Sequence, residues 1–143
     1  MHSEKLVRNF CTKVLAARNP KIIRRYVADD FVVRTRGSET MSVTAIKKVV
    51  LPFLSKVNDF KFRLLEVFEN EDGSRVVSHW QVEGHFMEVH SDRTRPIKLL
   101  FSGMTIWAIG ERGKLSHSWI ERSTWEWLQR LHSGLTSPDK PLR

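Results

Sequence analysis

The sequence predicts an α+β domain in which helices gather on one face of a curved mixed sheet whose long strands are antiparallel. Three observations carry that expectation. Apolar residues recur at helical spacing through the first third of the chain; from Asp59 the period changes to two; and turn residues separate the strands that follow. A chain of 143 residues suits one domain with a real core and is too short for two of ordinary size.

Leu6, Val7, Phe10, Cys11, Val14 and Leu15 form an amphipathic pattern that predicts a helix over 4–18. Asn19-Pro20 supplies a capping side chain and a proline at the first helical position, so a second helix starts there on the stripe Ile22, Ile23, Tyr26 and Val27. It breaks at Asp29-Asp30, and Phe31 to Arg36 reads as a short strand. Residues 37–41 read as a loop. Ser42 can cap a third helix carrying Ile46, Val49, Val50, Phe53 and Leu54, in which Pro52 predicts a kink or an early end. Phe60, Phe62, Leu64 and Phe68 then alternate with Lys61, Arg63 and Glu69, as in a half-buried strand. The turn Glu71-Asp72-Gly73-Ser74 leads into a second strand, RVVSHWQVEGHFM. Glu88 to Pro96, polar and interrupted by proline, reads as a loop or a flared hairpin end; KLLFSGMTIWAI, the turn GERGK and a strand from Leu115 follow. Residues 133–143 read as a flexible tail after a domain spanning 1–132.

The composition narrows the function. No apolar run is long enough to cross a bilayer, and the N-terminus lacks the uninterrupted apolar stretch of a secretory signal, so a cytoplasmic location is expected. The single cysteine, Cys11, lies on an apolar helical face and reads as a buried, reduced thiol. The net charge of +8 comes from basic residues scattered through every segment. That pattern describes a solvated surface, and nucleic acid is not expected as a partner. His79, His85, His90 and His117 show no metal-ligand spacing, and there is no phosphate-binding glycine loop and no nucleophile elbow. No metal and no cofactor are expected.

The order of elements, together with IIRRYVADDFVVR, the Gly103-centred FSGMTIWAI, and Gly113-Lys114-Leu115 running to Trp119 and a short C-terminal helix, resembles the SnoaL-like polyketide cyclase group of the nuclear transport factor 2-like superfamily. The likeness covers about residues 5 to 131. It implies a cone-shaped fold whose curved sheet and three N-terminal helices enclose a pocket. It also implies, for an active cyclase, an aspartate four residues after the last strand's tryptophan, acting as general acid/base of a ring closure. Here the tryptophan matches Trp119 and the aspartate's place is held by Ser123.

Period-two alternation puts His117, Trp119, Glu121 and Ser123 on one face of the last strand and Ser116, Ser118, Ile120 and Arg122 on the other. If Trp119 lines the pocket, Glu121 does too, and a carboxyl on an apolar wall has its charged form disfavoured, the condition for acid catalysis near neutral pH. The other reading of Glu121 is an exposed or salt-bridged side chain. Trp119, Trp107, His117, Trp80 and Tyr26 are the candidate ligand-lining residues, since broad aromatic walls suit a hydrophobic ligand; packing is the competing role for each. His79, Gln81, Glu83 and His85 share a polar face that is either pocket wall or a wet dimer face. Two functions stay open: a cofactor-free cyclase or isomerase acting on a hydrophobic carbonyl compound, and a ligand-binding or assembly module without catalysis. A homodimer through the sheet face away from the helices is expected, because Met104, Ile106 and Ala108 are apolar on one side of their strand while Thr105, Trp107 and Ile109 occupy the other.

Overall fold

The computed structural model describes residues 2–35, 39–90 and 93–122. Among these residues six strands form one sheet in the order β2-β1-β6-β5-β4-β3, where β1 is Val27–Thr35, β2 Glu39–Ser42, β3 Asn58–Glu69, β4 Arg75–His90, β5 Arg93–Ile109 and β6 Leu115–Arg122. All neighbours are antiparallel except β1 and β6, which run parallel. The mixed sheet expected from the alternating patterns is therefore present. The C-terminal helix, Ser123, Trp125, Trp127 and the tail at 133–143 lie outside the described residues.

Three helical segments cover one face. Helix α1, His2–Phe10, continues through a π-helical stretch at Cys11–Ala16 and buries Val7, Phe10, Cys11 and Val14. Burial pushes the Cys11 thiol up to about 12, so it stays protonated and inert near neutral pH. At the helix end Arg18 adopts φ 52 and donates to the carbonyls of Leu54 and Val57 at 3.1 and 2.9 Å, with its guanidinium over the Phe60 ring. One side chain thus ties the first helix to the third and to β3. Asn19 accepts from Lys21 N at 3.0 Å, the expected cap, and the segment Pro20–Arg25 is a 3₁₀ helix that buries Ile23.

The third helical segment begins as expected with Ser42 Oγ accepting from Ala45 N. It comprises α2 (Val43–Ala45), a π-helical stretch (Ile46–Val50) and α3 (Leu51–Ser55). Pro52 is the second residue of α3, and the helical path arriving from the π-helical stretch passes through it without the early end that proline allows.

The expected loop at 37–41 gives way to a strand from Glu39, and 88–96 takes its hairpin-end alternative. Residues 39–42 pair with β1, and 88–90 and 93–96 extend β4 and β5, with Met87 opposite Pro96. The described pairing of β6 with β5 stops at Gly103, so Pro96 stands on a strand whose other side carries no described ladder, a place that tolerates a residue without N–H.

The core lies between helices and sheet. Val7, Phe10, Cys11, Val14 and Ile23 from the helices meet Phe31, Val33, Val67, Val76, Trp107 and Leu115 from the strands. Burying such side chains contributes on the order of 1.5–3 kcal/mol each, offset by the entropy of ordering the chain.

Candidate functional site

The inner face of the sheet, toward the helices, is built on two tryptophans. Ser78 pairs with Thr105 across β4 and β5, and each strand places a tryptophan two residues further on. The indole of Trp80 donates to Thr105 Oγ1 at 2.8 Å, and that of Trp107 donates to Ser78 Oγ at 2.9 Å. The two polar-x-Trp steps run in opposite directions, so each hydroxyl serves the other strand's indole. Both bonds are buried, where an unpaired N–H would cost roughly 1–3 kcal/mol.

Aromatic packing extends from this ladder. Phe62 stacks on Trp80 with ring centroids 6.0 Å apart, Phe101 meets Trp80 edge-on at 5.9 Å, and Phe10 meets Trp107 edge-on at 5.4 Å. Gly103 makes room for Trp80: a Cβ there would lie 2.6 Å from the indole ring and from the carbonyl of Glu121. Tyr26 packs edge-on to Phe10 at the margin of the core. Farther out, Phe53 of α3 and Phe86 of β4 lie against each other, and Phe53 remains 47% exposed.

Strand β6 contributes Leu115, Ser118 and Ile120 to the inner face. Ser118 is fully buried and its hydroxyl has no hydrogen-bond partner. A register shift at Ser116, where Ile109 pairs with Leu115 and Ala108 with His117, sets this phase. Among the described residues of the inner face the carboxylate is Glu69, which accepts from Glu4 N at 3.1 Å and so caps α1.

His117, Trp119 and Glu121 consequently stand on the outer face, away from the helices, opposite Ala108, Ile106 and Met104. They share one face, as the alternation predicts, but that face is not the one lined by Trp80, Trp107 and Tyr26. Glu121 is exposed on that face. Trp119 is held between a stacked His117 ring at 5.7 Å and the Arg75 guanidinium at 5.8 Å. Two grooves adjoin it. One, of about 560 Å³, is floored by Ala108 and rimmed by Arg34, Arg75, Ser116 and His117; the other, of about 580 Å³, is lined by Val77, Met104, Ile106 and Glu121.

His79, Gln81, Glu83 and His85 also lie on the outer face, where Glu83 pairs with Arg63 at 2.9 Å. The sequence reading missed Ser78 and Thr105 as indole acceptors, although the spacings Ser78-x-Trp80 and Thr105-x-Trp107 in adjacent antiparallel strands were the signal for them. Among the described residues no group of three or more His, Cys, Asp or Glu is placed to hold a metal ion, and no helix is long and apolar enough to cross a membrane.

A curved six-stranded mixed sheet closed on one face by three helical segments, with an aromatic inner wall, defines the nuclear transport factor 2-like class of cones. The family model of the SnoaL-like domain matches residues 7–118, and the chain belongs to that family. No curated protein matches it by sequence. Among solved structures it is similar to a candidate SnoaL-like polyketide cyclase from Shewanella denitrificans OS-217, with 14% identity, TM-score 0.72, and coverage of 92% of this chain and 97% of that one. A candidate polyketide cyclase from Acidithiobacillus ferrooxidans matches with 16% identity and TM-score 0.71 over 93% and 96% of the two chains. AclR, a candidate hydroxylase from Streptomyces galilaeus, matches with 14% identity and TM-score 0.69 over 92% and 96%. At such identities the likeness establishes the fold.

Proposed function

We propose that this chain is a binding module of the SnoaL-like fold that takes a flat hydrophobic small molecule against the inner aromatic wall, without proton transfer by Glu121. The observation that carries the reading is the phase of β6: its inner face offers a serine and an isoleucine, while its carboxylate stands outside. The ligand enters beside α3, where Phe53 is half exposed and Phe62, Phe86 and Phe101 are incompletely covered. Stacked and edge-on rings there suit a planar apolar body, and among the described residues the Ser118 hydroxyl and one carboxylate oxygen of Glu69 are buried without hydrogen-bond partners.

The names of the similar structures keep one enzyme reading in view, a cofactor-free cyclase or isomerase working on a hydrophobic carbonyl compound with Glu121 as its acid/base. One set of measurements separates the two. Fluorenone, a neutral planar ketone, should quench the tryptophan fluorescence of the chain, and Phe62→Ala should weaken that binding by about tenfold through loss of the stacked ring. Glu121→Gln should leave binding as it is. An enolisable ketone held in deuterated water with the protein should exchange no faster than in buffer alone. Accelerated exchange that disappears in Glu121→Gln would overturn the binding-module reading in favour of the enzyme, and binding indifferent to Phe62→Ala would move the ligand elsewhere.

A further inference from the structure

One end of the molecule is apolar and basic together. On the third helical segment Val43, Ile46 and Leu51 are buried, while Lys47, Lys48, Val49, Pro52, Phe53 and Lys56 are exposed. Val49, 64% exposed, and Phe53 stand one turn apart. Phe53 leans on Phe86, where the sheet narrows. The described ladder between β3 and β4 ends at His85 and that between β5 and β6 at Gly103, so residues 86–90 and 93–97 form a two-stranded ribbon. Phe86 pairs with Ile97 on the face toward α3, and Met87 pairs with Pro96 on the other, with 48% of Met87 exposed. Such a ribbon, apolar on both faces, is marginal in water by itself. Residues 43–57 and 86–98 hold Lys47, Lys48, Lys56, Arg93, Arg95 and Lys98 against two carboxylates, Glu88 and Asp92.

We propose that this end of the chain docks on an anionic lipid bilayer. The ribbon and the exposed stripe of the helix enter the headgroup boundary side by side. Val49, Phe53, Met87 and Pro96 reach toward the acyl chains, while Lys47, Lys48, Lys56, Arg93 and Lys98, all exposed, meet the lipid phosphates. The contact lies in the plane of the interface and needs no spanning segment. Neither element supplies enough apolar surface alone; together, with the basic side chains around them, they combine the two attractions that interfacial binding adds up.

Shape and charge select this occupant. Apolar groups on both faces of one ribbon suit a fluid that wraps around it, whereas a folded protein covers one face and leaves the other wet. A second copy set against this end would oppose lysine to lysine. Nucleic acid would engage the bases through its phosphates but has no use for an exposed valine and methionine. The opening beside Phe53 and Phe86 would then face the hydrocarbon, yet the docking stands or falls independently of what the inner wall binds.

The test is flotation of the full chain with vesicles of phosphatidylglycerol and phosphatidylcholine in equal parts. The chain should float with them, at least about tenfold more weakly with phosphatidylcholine alone, and less as salt screens the charges. Lys47→Gln and Lys48→Gln should each lower the partition coefficient about fivefold, and Val49→Ser and Met87→Ser should lower it as well. Insertion is read separately. Cys11 is buried and inert, so an environment-sensitive dye coupled to the thiol of Met87→Cys reports that position alone. It should brighten on the mixed vesicles, and the same dye on Glu111→Cys, in the turn beyond the opposite end of β5, should not. Near-UV circular dichroism verifies that each variant keeps its fold; if a serine variant fails that check, the lysine variants and the dye pair decide the matter. Flotation indifferent to phosphatidylglycerol or to the lysines, a dye on Met87→Cys that stays dark, or equal brightening at both positions would overturn the proposal. Capture of polyglutamate in place of the vesicles would do so too, by assigning the surface to an acidic protein.

Discussion

The two faces of the sheet hold their tryptophans in different ways. On the inner face Trp80 and Trp107 are fixed by buried neutral hydrogen bonds to Thr105 and Ser78, with aromatic rings packed against them. On the outer face Trp119 lies between an imidazole and a guanidinium that solvent reaches. The first arrangement fixes geometry; the second leaves a surface that can be covered. Buried neutral bonds keep their strength whatever the salt, whereas exposed cation–π contacts are worth only about 0.5–1 kcal/mol until something excludes water from them.

Substitutions on the two faces should therefore differ most at the tryptophan that anchors the core. Trp107→Ala removes a 4% exposed indole that touches Phe10, and should cost about 3–5 kcal/mol in urea unfolding. A loss below about 1 kcal/mol would mean that the inner face rearranges freely and the contrast is false. Ser78→Ala is a finer probe, since it leaves the Trp107 indole N–H buried without its acceptor while changing little volume. It should cost about 1–3 kcal/mol. The smallest effect belongs outside: Glu121→Gln, measured by thermal unfolding of dilute, monomeric protein, should change stability by less than about 0.5 kcal/mol. A large loss there would show that Glu121 is part of the fold of a single chain.

The same contrast explains what the amino-acid sequence did and did not disclose. Alternation in 60–69, 75–87, 98–109 and from Leu115 located four of the strands, and Met104, Ile106 and Ala108 do oppose Thr105, Trp107 and Ile109. In β3 the alternation predicts Phe68 beside Phe62 and Leu64, but a register shift between Leu64 and Glu66 turns Phe68 outward and Glu69 inward. A period of two cannot say which set faces the core, because that is decided by the partner each face finds. On β6 the largest side chain, Trp119, pointed to the wrong face, and the smaller Leu115, Ser118 and Ile120 are the ones packed inward.

Strand β2 was hidden, and the outer ends of β4 and β5 were legible only as one of two alternatives, for a related reason. They are polar segments whose strand character comes from ladder bonds to a neighbour and owes little to local propensity. Within the third helix, Pro52 was legible as a discontinuity, yet the π-helical stretch that brings the chain to it has no pattern of its own.

The parallel pairing of β1 with β6 has a consequence for how the protein is made. Val32 to Thr35 take their places beside His117 to Ile120, so an interior strand of the sheet finds its second neighbour in the last strand. On a ribosome adding about 5–20 residues per second, β1 waits several seconds with one edge unpaired, for a partner encoded roughly 90 residues later. Until then the early segments can form only the β1–β2 hairpin and loosely associated helices, and the core around Phe31 and Val33 cannot close. Such non-local closure slows folding and leaves a sticky edge open during synthesis, so a chain stalled before Leu115 is the species that chaperones would hold.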